Sequence, residues 1–298
     1  MAAITRHFSK QRLAEPDIQT LTIDDVPRLR LRHPDHERLV IDQVASHPGR
    51  SVWLPDTLEH LIVSPWRHRA EIANVEDLDA TAHAEDLMRA AADRCTALGD
   101  ALFITIDLEE TRPSSFYTAS GLERVEQIIT YAFPRFGRRA AVSSRLRVIE
   151  ADPRDPEHLK ALRELDHRAF PWLWWNSDEE FLHYRTVPGV RIGLGLLEER
   201  PVSYFGVTAF SGWGHVDRIA VDPKLQGKGL GRATLSAATE LLFSLGAQRI
   251  GLSTQSTNIL SQHLYESFGF LRTPSHDYSL FGRLLPSHPD YPMVAGSR

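Results

Sequence analysis

The chain has 298 residues, with 34 Lys and Arg against 39 Asp and Glu, a formal net charge of −5, and 42% hydrophobic and 24% charged residues. This balance belongs to a water-soluble globular protein long enough for two cores; it excludes a disordered chain and a nucleic-acid binder built on a basic stripe. With no apolar run of ~18 residues a membrane span is not expected. The first ten residues lack the apolar core of a secretory signal, which points to a cytoplasmic protein. A single cysteine, Cys95, allows no internal disulfide or cysteine cage, and the 14 histidines show no metal-ligand spacing, so no metal is expected.

In chain order, the first readable element is a helix around Cys95, whose neighbours Ala91, Ala92 and Leu98 mark it as a buried position and which ends at Gly99 before a strand. The stretch from Phe103 to Leu122 recurs later in the chain. Tyr117 and Gly121 lie 148 positions before Tyr265 and Gly269, and Gly99 lies 147 before Gly246. Offsets that agree within one residue indicate an internal repeat, two copies of one unit. The boundary is placed near residues 138–146, where Arg138, Arg139 and a run of small residues intervene, giving domains over 1–140 and 145–298.

In the second copy the spacing predicts a helix over 157–169, a Trp-rich connection over 170–177 and a helix opened by Asp178, Glu179 and Glu180. Strands follow over 190–197, 202–210 and 214–221, with hairpin turns expected at Glu199-Arg200 and at residues 212–214. A helix over 230–245 is stopped by Gly246; a strand over 248–254, a helix over 258–268 and a strand over 277–285 complete the unit. The fold class is α+β, a mostly antiparallel mixed sheet with helices on both faces.

The most informative run joins a strand to a helix: Val221-Asp-Pro-Lys-Leu-Gln-Gly-Lys-Gly-Leu-Gly231. Three glycines in five residues, Gly227, Gly229 and Gly231, let several N–H groups converge on one anion, and the helix directs its partial positive charge to the same place. Neither the dinucleotide fingerprint nor the triphosphate loop fits, because the glycine order differs and Lys228 is followed by Gly229.

The pattern Gln226-x-x-Gly229-x-Gly231 after Val221-x-Pro223 resembles the acyl-CoA signature of the GNAT superfamily of N-acyltransferases. Asn258, Ser261, Leu264, Tyr265, Gly269 and Phe270 resemble that family's downstream segment. The resemblance implies two tandem GNAT-like domains and transfer of the acetyl group of acetyl-CoA to a primary amine. The pyrophosphate is expected on the backbone of Gln226, Gly227, Lys228, Gly229, Leu230 and Gly231, with Lys228 and Arg232 as counter-charges or as solvated surface residues. The pantetheine arm is expected beside Ile219, Ala220 and Val221, held also by Asn258 and, in the same segment, Ser261. An amide near Val221 would meet the thioester oxygen, and Tyr265 is the candidate acid for the CoA thiolate. His215 and Asp217, two apart on one strand face, are the candidates for the base.

The first copy departs from this pattern. Residues 78–84 contain no glycine and follow acids at Glu76 and Asp77; Glu110 and Pro113 stand where Asn258 and Ser261 stand, so this half reads as a degenerate copy. Trp172, Trp174 and Trp175 either line the acceptor pocket with the loop after Phe270, anchor the core, or face the first half. The acceptor is expected to be a small-molecule or peptide amine, with no nucleic acid or membrane partner, on a monomer or homodimer. A mycothiol synthase-like activity on an aminoglycoside-like thiol, protein N-terminal or lysine acetylation, and a non-catalytic acyl-CoA binder are the alternatives.

Overall fold

The computed structural model describes residues 16–31, 36–108, 112–133 and 146–286. Glu110 and most of the expected boundary segment, 138–145, lie outside them. The first half runs β1 (Gln19–Thr20), α1 (Glu37–Ser46), β2 (Val52–Trp53), β3 (His60–Pro65), β4 (Ile72–Asp79), α2 (Ala84–Ala97), β5 (Leu102–Asp107), α3 (Ser114–Ala119) and β6 (Glu123–Phe133). The second runs β7 (Arg147–Glu150), α4 (Pro156–Ala169), α5 (Asp178–Thr186), β8 (Val190–Leu197), β9 (Arg200–Phe210), β10 (Trp213–Val221), α6 (Leu230–Ser244), β11 (Arg249–Gln255), α7 (Ile259–Phe268), β12 (Leu271–Arg272) and β13 (Tyr278–Leu284).

Every element expected in the second copy is present, with ends within two residues, because its start and stop signals are local. Asp155 and Ser177 cap α4 and α5, accepting from the N–H groups of Glu157 and Glu180 at 2.9 and 3.0 Å. The helix ends repeat between copies. Asp100 N–H reaches Cys95 O and Ala247 N–H reaches Leu242 O, both at 3.0 Å; Leu122 and Phe270 do the same to Tyr117 and Tyr265. The two hairpin turns sit one residue earlier than expected, at Glu198-Glu199 and Ser211-Gly212. The central φ values there, 49°, 62°, 47° and 82°, are those of a two-residue turn matched to the strand twist.

One continuous sheet joins the halves, in the order β1-β2-β3-β4-β5-β13-β6-β11-β10-β9-β8-β7. The order is palindromic, as two copies related by a pseudo-twofold axis between β13 and β6 require. The last strand of each copy is exchanged: β13 pairs with β5 of the first half, from Ser279↔Asp107 to Leu284↔Leu102, and β6 pairs with β11 of the second, from Ile250↔Phe133 to Gln255↔Ile128. Each half therefore has its core closed by a strand from the other.

Separate apolar clusters fill the two faces of each half, and a shared one spans them: Trp172, Leu173 and Trp174 pack with Ile72, Leu102 and Ile104 of the first half. These three side chains are at most 9% exposed, and burial of each stabilises the junction by roughly 1.5–3 kcal/mol. Of the open readings of the tryptophans, the structure selects the interface for Trp172 and Trp174. Trp175 stacks on His167 at 4.3 Å instead. Cys95 is fully buried in α2, where burial pushes its thiol pKa up.

Candidate active site

Strands β10 and β11 run parallel and pair only from Trp213↔Arg249 to Val216↔Leu252, although β10 continues to Val221 and β11 to Gln255. Beyond Val216 the two strands separate. The divergence coincides with a bulge: Val216 faces Val207 of β9, but Arg218 faces Gly206, leaving Asp217 as the extra residue. At the far end, Asp222 N–H donates to Val202 O of β9 at 2.9 Å. Alternation along the strand then turns the N–H groups of Val221 and Ile219 away from β9, into the gap.

The glycine-rich loop stands at the end of this gap. Gly227 and Gly229 have φ of +77° and +79°, and a Cβ on either would meet open space; the requirement for glycine there is the left-handed backbone alone. At Gly231 the reason is different, since a Cβ would come within 3.3 Å of Leu264 Cδ2 where α6 crosses α7. Among the described residues, no acceptor takes the N–H of any residue from Gly227 to Arg232; the first bond of the helix is from Ala233 N–H to Gly229 O, at 3.1 Å. Six consecutive unclaimed amides at a helix N-terminus form a ready anion site. Lys228 is exposed, whereas Arg232 reaches Ser267 O at 3.3 Å and lies over Phe268.

On the other side of the gap, α7 presents Asn258, Ser261 and Tyr265 along one face. Asn258 caps the helix through Oδ1, accepting from Ser261 N–H at 3.1 Å, which leaves its side-chain NH2 as a free donor. Tyr265 is 3% exposed and packs edge-on to Tyr131 of the exchanged strand β6, with ring centroids 5.8 Å apart. Burial pushes its phenol pKa up to about 12, against a hydrogen bond with Ser261 that lowers it.

His215 Nδ1 lies 2.7 Å from Asp217 Oδ1. A carboxylate only accepts, so Nδ1 carries the proton and Nε2 of the neutral ring is a free acceptor. The other oxygen of Asp217 accepts from Thr208 Oγ1 at 2.6 Å and from Tyr184 OH, which fixes the carboxylate. Sequence reading missed Thr208 and Tyr184. The available signal was Gly206 in the middle of a strand, where a Cβ would lie 2.8 Å from the Tyr184 ring.

Behind the bulge, Arg218 is buried against Asp166 of α4, donating from Nε at 2.7 Å, and against Tyr204 OH at 2.8 Å. The first half also reaches this face. Its segment after β3 places Trp66 Nε1 2.8 Å from Leu173 O, Arg67 Nη1 2.6 Å from Asn176 Oδ1 and His68 Nδ1 2.8 Å from Glu180 Oε2. Arg67 and His68 both have left-handed backbones, φ 54° and 53°, at a cost of about 1–2 kcal/mol each. The loop after Phe270, expected at the acceptor pocket, is tied to β6 through β12, with Leu271↔Ala132 and Arg272↔Tyr131.

A model of the acetyltransferase (GNAT) family matches residues 147–270. The second half of the chain belongs to the GNAT acetyltransferases. Solved structures extend the fold through both halves. A GCN5-related N-acetyltransferase from Sphaerobacter thermophilus aligns over 92% of this chain and 97% of that one, with a TM-score of 0.60 and 15% identity. A tandem GNAT protein from the clavulanic acid biosynthesis pathway aligns over 92% and 99%, with a TM-score of 0.58 and 14% identity. A mycothiol acetyltransferase of Beutenbergia cavernae is 36% identical over 63 residues, so the match spans 21% of this chain and 21% of that protein.

The first half carries the same GNAT-like frame with its donor features altered. β4 and β5 pair only up to Val75↔Thr105, and β4 has its bulge at Glu76, between Val75 and Asp77. Ser64 Oγ and Asn74 Nδ2 donate to Glu76 Oε1 at 2.6 and 3.0 Å, repeating the pattern of Thr208, His215 and Asp217 with an asparagine in place of the histidine. No glycine-rich loop follows. Ala84, the first residue of α2, comes 8 positions after the bulge, whereas Leu230 of α6 comes 13 after Asp217. The amides of Thr81 and Ala82 are already taken by Glu59 Oε1, at 2.8 and 2.7 Å. The gap itself is a cavity of about 160 Å³ lined by Glu76, Asp77, Asp107, Arg112 and Tyr117.

Proposed function

We propose that the second half moves the acetyl group of acetyl-CoA to a primary amine by direct attack through a tetrahedral intermediate. The observation that carries this is the run of six unclaimed amides, Gly227 to Arg232, at the mouth of the gap between β10 and β11. The amides receive the pyrophosphate. The pantetheine arm lies in the gap as an added strand along Ile219 to Val221, with Asn258 donating to it from the opposite wall. The N–H of Val221 or Ile219 stabilises the oxyanion as it forms.

His215 Nε2 takes the proton of the attacking amine, with Asp217 holding the ring. The new C–N bond forms as the C–S bond breaks, and the electron pair leaves on sulfur. A phenol held at about 12 does not surrender its proton to a thiolate of pKa near 8.5, so Tyr265 acts as a hydrogen-bond donor to that thiolate. Arg67 and His68 of the first half bond to Asn176 and Glu180 on the face where Tyr184 meets Asp217, which supports a small-molecule amine over a long peptide groove.

Titration calorimetry with acetyl-CoA tests the donor assignment: one site per chain is expected, and no binding would overturn it. Release of CoA in a screen of amines then tests turnover. The 63-residue likeness to a mycothiol acetyltransferase makes an amino-sugar thiol a worthwhile member of that screen. A chain that binds acetyl-CoA and releases CoA with none of the amines would favour the non-catalytic alternative.

A further inference from the structure

Arg67, contributed by the first half to the acceptor face, is a cation without an anion. Its Nη1 donates to the neutral amide oxygen of Asn176 at 2.6 Å, its Nε is buried with no partner, and among the described residues no carboxylate forms an ion pair with it. The two acids nearest in effect, Asp166 and Glu180, are committed elsewhere. Asp166 is bonded by Arg218, by Tyr204 OH and by Asn176 N–H at 2.9 Å, and Glu180 is bonded by His68. The guanidinium lies beside two indoles that are in edge contact with each other, 5.1 Å from the Trp66 ring and 5.4 Å from that of Trp174.

A cation so placed is unfavourable. Burial and the neighbouring Arg218 charge lower the Arg67 pKa to about 10, and the chain holds the residue there on a left-handed backbone. The position relative to the gap explains the arrangement. Bonded neighbours join it to the gap: Asn176, which accepts from Arg67, donates its N–H to Asp166 at 2.9 Å, and Asp166 and the carbonyl of Trp174 hold Arg218, the residue that follows the bulge. Across the same face stands the fixed carboxylate of Asp217 with His215. The acceptor face thus has a negative pole beside the reacting centre and a positive pole at Arg67.

We propose that the acceptor is an amine that also carries a carboxylate, an amino-acid-like zwitterion whose carboxylate pairs with Arg67 while its amino group meets His215. This rests on the acetyl-transfer reading above for the direction of the amine. The cation supplies the missing counter-charge for the carboxylate and disfavours the ammonium form of the nucleophile. An Arg67 committed to the first half makes that half part of the acceptor site.

The test uses the full chain, alone and loaded with CoA, titrated with the proteinogenic amino acids, their carboxamides and aminoalkyl phosphates. Trp66 and Trp174 both lie beside the guanidinium, so tryptophan fluorescence reads binding, and CoA release from acetyl-CoA reads turnover. At least one amino acid is expected to bind about tenfold or more tightly than its carboxamide. Arg67→Met should abolish that preference and raise KM more than it lowers kcat, and Arg67→Lys should keep part of it, with acetyl-CoA affinity unchanged in both. Tighter binding of the phosphates than of the acids would replace carboxylate by phosphate and overturn the proposal as stated. It is also overturned by carboxamides that bind as well as acids, by a preference that survives Arg67→Met, or by no acid binding at all. Loss of acetyl-CoA binding in the wild-type chain would sink the transfer reading instead, and the fluorescence arm without CoA would still decide the carboxylate.

Discussion

The two gaps, β4–β5 in the first half and β10–β11 in the second, show which parts of a site are frame and which are chemistry. Both halves keep the divergence of the strands, the bulge with its carboxylate and hydroxyl donor, and the tyrosine of the following helix. They differ in the connection to the next helix. The second half has five more residues there, all its amides from Gly227 to Arg232 unclaimed, whereas the first has Glu59 bonded to Thr81 and Ala82. A bulge and a splay follow from strand register, which the shared topology enforces in both copies. An anion site exists only where a loop leaves amides free, and in the first half the protein's own carboxylate uses them.

The largest effect is expected where this contrast is sharpest. Gly229→Asp forces a side chain onto a left-handed backbone and puts a carboxylate at the helix N-terminus, so acetyl-CoA affinity should fall on the order of 100-fold or more by calorimetry. Unchanged affinity would remove the pyrophosphate assignment. Next, Asp217→Asn should lower kcat by roughly 100-fold, because an amide no longer holds Nδ1–H and the ring can turn its proton to Nε2. Glu76→Gln, the same change in the other gap, should leave turnover where it was. Equal losses in both variants would mean that the first half is catalytic.

Tyr265→Phe should lower kcat by about tenfold while the KM for acetyl-CoA stays within a few-fold. Tyr117→Phe should change stability only, since its ring stacks on Phe281 at 3.9 Å and its hydroxyl is engaged by Asp107. Glu59→Gln should cost about 1–2 kcal/mol of stability without creating a second acetyl-CoA site, as the loop is still too short. Burial raises the Glu59 pKa, but the amide of Ala82, then His83 and Thr81, outweigh it, and the folded value lies below 4.5. Its stabilisation is therefore present above that range and is lost as the pH falls through the lowered value. Melting temperatures between pH 6 and 3 should show that component in the wild type and not in Glu59→Gln. The smallest effect is expected from Ser177→Ala, about 1 kcal/mol for one lost cap on α5.

Much of the second half was legible in the order of its residues. Helix starts at Pro156 and Asp178, stops at Gly246 and Gly269, and the left-handed loop at Gly227 and Gly229 all rest on signals within a few positions of one another. The pairing of His215 with Asp217 was readable too, since residues two apart on a strand share a face. The bulge that places Asp217 and Arg218 together against α4 and α5 was not, because register depends on what β9 presents opposite. The hairpin turns were misplaced by one residue for the same reason: register, more than turn composition, sets where the strands end.

By itself, then, the sequence determined two copies of one α+β unit, with a glycine-rich strand-to-helix loop in the second and none in the first. The tertiary structure decided that the last strands change places, that Trp172 and Trp174 form the junction, and that residues 66–68 of one half bond to Leu173, Asn176 and Glu180 of the other. The physical reason is range. Caps, turns and glycine conformations are settled by neighbours along the chain, whereas β6 and β13 find their partners more than a hundred residues away, where only the fit of two packed surfaces selects the pairing.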